Sequence, residues 1–163
     1  MIRLATNNDI KFIQEVYKDG RELIASYGSP QWQNNYPSIE VTQSDIDNKA
    51  LYVYEDLEIL GVMTVFDYEP TYEFSEGAWI SSKPYKVIHR IATRKGHYGK
   101  GISAKMIDFV FRDLHAKSIR IDTHELNLPM QNLLKKLGFT YCGKIYLNQA
   151  TDRMRLAYQK DTF

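Results

Sequence analysis

Apolar and polar positions alternate over Ile2-Arg3-Leu4-Ala5, the period of a short strand with one covered face. From Ile10 the period lengthens: Ile10, Ile13, Val16 and Tyr17 recur at helical spacing up to Gly20, with Asn7 or Asn8 available as the cap. A second helical piece is expected from Arg21 to Tyr27. Thr42 is placed to cap a short helix through Ile46, which leads into a strand from Leu51 to Tyr54. Asp56-Leu57-Glu58 reads as a hairpin turn, and Ile59 to Phe66 as the returning strand with Gly61 as a bulge position. Little periodicity survives between Asp67 and Lys86. Val87 to Thr93 is a β-branched apolar run, and Met106, Ile107, Val110, Phe111 and Leu114 then keep one helical face. Ser118 to Thr123 predicts another strand. Asn127 and Pro129 open a helix whose stripe, Met130, Leu133, Leu134 and Leu137, ends at Gly138. Phe139 to Leu147, a turn at Asn148 to Asp152, and Arg153 to Gln159 complete a C-terminal hairpin. The order predicts a mixed α/β (α+β) chain forming one domain over residues 1–163, with a strand-turn-helix unit in its middle.

That central unit carries the chemistry. A helix begins with unpaired N–H groups and a partial positive charge, and glycines entering it let an anion approach the backbone closely. Tyr98-Gly99-Lys100-Gly101-Ile102-Ser103 therefore reads as an anion-binding turn, with Arg94, Lys95 and Lys100 adding positive field. An ordinary strand-to-helix loop would use the same glycines for its turn.

Composition narrows the partner. A 163-residue chain with 44% hydrophobic and 25% charged residues is ordinary for a globular protein. A net charge of +1 advertises neither nucleic acid nor an anionic membrane, which leaves a small molecule. One cysteine, Cys142, allows no internal disulfide and fits a reducing compartment. No CxxC or HExxH spacing suggests a metal. The first residues reach Asn7, Asn8 and Asp9 too soon for a secretory apolar core, and no apolar run nears the ~20 residues that span a bilayer, so a cytoplasmic location is expected. The turn-rich loop from Gly28 to Pro37 holds Trp32 and Tyr36, read either as a lid on the core or as a substrate wall. Trp79, with Glu69, Glu73 and Glu76 nearby, could face a cationic substrate, although such acids are commonly just solvated.

Three features coincide: the turn at Tyr98 to Ser103, the run Asn127 to Gly138-Phe139, and the Ile2-to-Thr6 start before an amphipathic helix. Together they resemble the GNAT family, the Gcn5-related N-acetyltransferases, over nearly the whole chain. The Gly28-to-Pro37 loop, His89-Arg90-Ile91-Ala92 and Pro129-Met130-Gln131 suggest its bacterial small-molecule branch. The resemblance implies a mostly antiparallel central sheet flanked by helices, and an acetyl-CoA-dependent N-acetyltransferase that moves an acetyl group to a primary amine in a ternary complex. It implies acetyl-CoA as acyl donor without a metal, a small-molecule amine or peptide N-terminus as acceptor, and a homodimer as one possible assembly. Acetyl-CoA would lie along Ile91, Ala92 and Thr93, with its pyrophosphate at Tyr98, Gly99, Lys100, Gly101, Ile102 and Ser103. Asn127, Met130 and Leu133 would touch its arm, and a strand N–H near Ile91 would stabilise the developing oxyanion. Trp32, Tyr36 and Trp79 would line the acceptor.

An alkylammonium must lose a proton before it attacks, and histidine side chains titrate near neutral pH, so His89 is the first candidate base. A hydrogen-bonded core histidine is the competing reading. Strand parity puts His89 on the side of Val87 and Ile91 unless a bulge intervenes. Glu76 and Glu125 are further candidates. Two positions depart from the family pattern. Gly96 stands where Arg or Gln is usual, which shifts phosphate contacts to the backbone and to Lys95, Lys100 or Arg94. Leu134 stands where many members place the Tyr that protonates the leaving thiolate, so either no dedicated acid exists or Tyr141 or Tyr146 substitutes. Two rival functions follow: a catalytically degenerate acyl-CoA-binding sensor, motivated by Leu134, and a dinucleotide-binding oxidoreductase. The latter is motivated by Gly99-Lys100-Gly101-Ile102-Ser103-Ala104 as G-x-G-x-x-A with Asp122 about 20 residues on.

Overall fold

In the computed structural model, which describes residues 1–73 and 75–162, the apolar alternations close into one eight-stranded sheet. Its strands are β1 (Ile2–Leu4), β2 (Leu51–Asp56), β3 (Glu58–Phe66), β4 (Ser75–Gly77), β5 (Lys86–Thr93), β6 (Ser118–Thr123), β7 (Thr140–Tyr146) and β8 (Met154–Asp161). The spatial order is β1-β2-β3-β5-β6-β8-β7-β4, antiparallel throughout except between β5 and β6. Four helices flank it: α1 (Ile10–Ser26), α2 (Ile39–Asp47), α3 (Ile102–Arg112) and α4 (Leu128–Lys136). On one face Ile88, Ile119 and Ile121 are buried with Met106 and Val110 of α3 and Leu134 of α4. On the other, Ile13, Val16 and Tyr17 of α1 cover Leu51, Val53, Val62 and Ala92. No helix among the described residues is long and apolar enough to cross a membrane.

The single parallel pair positions the site. β5 and β6 are joined only at Lys86 with Ile119 and Val87 with Arg120, although the strands run on to Thr93 and Thr123. Beyond Val87 they part and leave a wedge. A second interruption lies on the other edge of β5, where Val62 faces Ala92 and Thr64 faces His89, so that Met63 alone opposes Arg90 and Ile91. This is a β-bulge, with Arg90 at φ +50°, a conformation disfavoured for a residue with a Cβ. Such a backbone costs about 1–3 kcal/mol and needs support from outside the strand. Arg90 supplies it: Nε and Nη2 each donate at 2.8 Å to the two oxygens of Asp45 on α2, and Nη1 donates to Tyr36 Oη at 3.1 Å. Asp45 is buried and also accepts from Thr64 Oγ1 at 2.9 Å. Forked, charge-assisted bonds of this kind are roughly twice as strong as neutral ones.

The bulge overturns the parity expected of β5. Ile91 joins Ile88 in the cluster beneath α3 and α4, whereas His89 lies beside Phe66 and Tyr72 on the face of Val87. Other boundaries also shift. α1 runs unbroken through Gly20, because a Cβ there would meet Trp32 at 3.0 Å and Ala92 at 3.2 Å; the glycine serves close packing, not a helix end. α2 starts three residues before Thr42, capped by Ser38 Oγ accepting from Val41 N, while the Thr42 hydroxyl donates to Ser38 O. In β3 the extra residue is Leu60 and not Gly61, since Tyr54 faces Gly61 and Glu55 faces Ile59; a Cβ on Gly61 would come within 2.8 Å of Ile102. The aperiodic stretch before β5 forms a 3-10 turn at Pro70–Glu73 and then β4, which pairs with β7 at the far edge of the sheet.

Candidate active site

The turn leaving β5 is built by backbone direction. Gly96, Gly99 and Gly101 take φ values of +87°, +74° and +79°, and a Cβ on any of them would meet nothing within 4 Å. Left-handed backbone selects glycine here, and the space in front of it is open. Among the described residues, no N–H group of residues 98 to 104 makes a well-aligned hydrogen bond to the protein; the first past the turn that does is Lys105, bonded to Gly101 O at 3.0 Å. Tyr98 to Gly101 are exposed and Ile102 to Ala104 are buried or half-buried; the first amides of a helix have no intrahelical acceptor, so this run at a helix start is open to an anion. Gly99, Gly101, Ile102, Ser103 and Ala104 line a cavity of about 360 Å³ that continues along Ile91, Ala92 and Thr93 to Asn127, Met130 and Leu133. Asn127 caps α4, its Oδ1 accepting from Met130 N at 3.2 Å. Of the expected cations, Arg94 is committed to Glu15 at 2.7 Å and to Ile59 O. Lys95 is exposed, and Lys100 lines a separate hollow with His97 and Lys105.

A second cavity, of about 780 Å³, opens on the other side of the wedge and shares Ile24, Trp32, Ile91, Asn127 and Met130 with the first. Both strands beyond their last pair contribute: Ile88 to Ile91 from β5, Ile121 to Thr123 from β6. Trp32 packs on the core and also faces the cavities. Its ring stands edge-on to Tyr17 at 5.8 Å over the α1 core, and it walls both cavities. Tyr36 lines the larger cavity while bracing Arg90.

Two polar pairs stand in this cavity. His89 Nε2 lies 2.7 Å from Glu69 Oε1. The bond from His89 holds the Glu69 carboxyl below its ordinary range, helped by Thr71 N at 3.2 Å. An ionised carboxylate only accepts, so Nε2 carries the proton and Nδ1 is left as an acceptor. The second pair is Tyr72 Oη donating to Asp122 Oδ2 at 2.6 Å. Burial, and then the Asp122 charge, push the Tyr72 phenol well above its ordinary pKa, so it stays protonated as the donor. Asp122 lies two residues past Arg120 and His89 two past Val87, so the two face each other across the wedge. The sequence offers Glu69 only as one of several acids that could face a cationic substrate, and neither its pairing with His89 nor that of Tyr72 with Asp122 is signalled beyond the mixture of acids and aromatics before β5.

Several expected residues stand elsewhere. Glu76 sits on β4 opposite Lys144, with Tyr146 beside it: this carboxylate is the main cause that raises the Tyr146 phenol. Both belong to the far edge of the sheet, with Tyr141, and line neither cavity. Trp79 donates its indole N–H to Tyr72 O at 2.9 Å and stacks on Arg120 at 4.1 Å, supporting Tyr72 from behind without lining a cavity. Leu134 is fully buried in the core and offers nothing to the cleft. Glu125 is exposed at the turn before α4. Among the described residues no three His, Cys, Asp or Glu side chains are grouped to hold a metal.

Comparison with known proteins adds the following. The acetyltransferase (GNAT) domain family matches residues 1–140. A GNAT-family acetyltransferase structure from Streptococcus agalactiae is similar at 35% identity and TM-score 0.91, covering 100% of this chain and 95% of its own. A putative acetyltransferase from Staphylococcus aureus Mu50 is similar at 28% identity and TM-score 0.69, covering 99% and 98%. A GNAT-family structure from Listeria monocytogenes, at 20% identity and TM-score 0.72 over 99% and 94%, shares the fold. No curated protein matches.

Proposed function

This chain belongs to the GNAT acetyltransferase family, and from that premise we propose that it moves the acetyl group of acetyl-CoA to a primary amine by direct attack. The observation that carries the reading is the meeting of two cavities at Ile91: one ends at unpaired amides of a helix start, the other holds a histidine with a free ring nitrogen. The family match and the antiparallel β6-β8 pairing remove the dinucleotide oxidoreductase, whose fold continues with parallel strands.

Acetyl-CoA, when bound, supplies an activated thioester carbonyl. The amides of residues 98 to 103 suit its diphosphate, because a fixed array of N–H groups binds an anion without reorganising. The Ile91-to-Thr93 edge, with Asn127, Met130 and Leu133, suits the extended arm. His89 takes the ammonium proton on Nδ1, directly or through one water, while Glu69 orients the ring and stabilises the imidazolium, as in any base backed by a carboxylate. The amine nitrogen then bonds to the carbonyl carbon, the C–S bond breaks, and the thiolate leaves; the proton that attack leaves in excess on the nitrogen passes to the thiolate, directly or through water, giving neutral amide and thiol. An N–H at the bulge, near Ile91, faces the developing oxyanion. With Leu134 buried, no dedicated acid is needed: a thiol of pKa about 8.5 is a tolerable leaving group. A thiol-release assay with acetyl-CoA and a broad amine panel tests the proposal. Amine-dependent release is the expected result; tight acetyl-CoA binding with no release from any amine would identify a degenerate binder instead.

A further inference from the structure

We infer, resting on the acyl-transfer reading above, that the acceptor is a primary amine on an apolar or aromatic body with no carboxylate beside the amine. The balance of charges in the larger cavity carries this. Two guanidinium cations line it, Arg90 and Arg155, and each already has an anion, Asp45 at 2.8 Å and Asp152 at 3.2 Å; the third basic side chain, His89, is bonded to Glu69 at 2.7 Å. Arg155 is only 3% exposed, and Nη1 is spent on the carbonyls of Asp152 and Met154. Its Nε has no partner, but is closed off, so an incoming carboxylate cannot reach it.

The lining carboxylates are unequal. Glu69 is bonded to His89, and Asp152 is paired with Arg155 and bonded to His124. Asp122 has no cationic partner among the described residues; it receives one bond, from Tyr72 Oη, to Oδ2. The unbalanced charge in the cavity is therefore negative, and it lies across the wedge from His89. An ammonium entering here gains a charge-assisted partner, whereas a carboxylate would be stripped of water with no free guanidinium to receive it. Trp32, Tyr36 and Phe66 in the same lining offer an aromatic wall to the body of the amine. Selectivity thus arises as much from what the cavity withholds as from what it offers.

Matched pairs isolate the claim: tyramine with tyrosine, tryptamine with tryptophan, phenethylamine with phenylalanine. With saturating acetyl-CoA and thiol release as readout, the amine of each productive pair should exceed its amino acid in kcat/KM by about tenfold or more, the worth of one unpaired charge contact. Asp122→Asn keeps the shape and an acceptor for Tyr72, and should raise the KM for the best amine about tenfold, with acetyl-CoA affinity by calorimetry unchanged. Three outcomes overturn the inference and leave acyl transfer standing: amino acids that match or exceed their amines, a dipeptide amide that outperforms every free amine, or an Asp122→Asn enzyme with unaltered amine KM. Release from no amine at all, with acetyl-CoA bound, overturns the transfer reading and this inference with it.

Discussion

Gly101→Glu is expected to weaken acetyl-CoA binding by about 100-fold, measured by calorimetry. A Cβ at this position meets open space, so the new carboxylate would enter the cradle instead of being turned away by packing. At a separation of about 5 Å and an effective dielectric of about 20, repulsion between it and one diphosphate charge is about 3 kcal/mol, which is a factor of about 100 in Kd. Backbone strain has to be separated from charge, since Gly101 sits at φ +79°. Gly101→Ala carries the same left-handed penalty of about 1–2 kcal/mol in stability without the charge. It should lower Tm like the glutamate variant but lose much less affinity. Equal loss in the two variants would mean that the turn's shape, and not its positive field, governs binding.

The second large effect concerns proton removal. His89→Ala should reduce kcat/KM for the amine by about 100-fold or more, with acetyl-CoA affinity unchanged, and should erase the acidic limb of the kcat/KM profile. Glu69→Gln keeps a hydrogen-bonding oxygen but loses the charge that backs the ring, so a loss of about tenfold is expected, near the lower end for a base whose partner is weakened. The sign follows from Glu69 itself. Its carboxyl is held below the ordinary range by the His89 bond, so it remains ionised through neutral pH, a charge that the amide variant lacks. A profile that keeps its acidic limb in the alanine variant would assign His89 to structure alone and pass the proton to water.

The parts of the site that depend on local chemistry were readable from the chain. Gly99 and Gly101 follow a β-branched strand and precede an amphipathic helix, and Asn127 with Pro129 marks a helix start whatever surrounds it. The parts that depend on distant pairing were not. β4 crosses to the edge beside β7, which removes Glu76 and Tyr146 from a cleft that their sequence positions place them near. Glu69 reaches His89 through a 3-10 turn with no repeating pattern, and Tyr72 meets Asp122 from 50 residues away. Arg90 was opaque for another reason. Nothing about an arginine in an apolar strand announces a left-handed backbone; the conformation is fixed by Asp45 from a helix 45 residues earlier. That one residue reversed the parity count, placing Ile91 and His89 on opposite faces of β5. Trp79 misled through composition, for an aromatic among acids suggests a binding wall, whereas its indole N–H is bound to Tyr72 O.

The central claim is that main-chain amides, unclaimed by the protein, hold the diphosphate. Amide proton and nitrogen shifts in a 15N-labelled sample titrated with coenzyme A test it most directly. The largest changes should fall on Gly99, Lys100, Gly101, Ile102 and Ser103, moving downfield as they gain an anionic acceptor, and acetyl-pantetheine, which lacks the diphosphate, should leave them nearly still. Saturating coenzyme A with those five resonances unmoved would contradict the account.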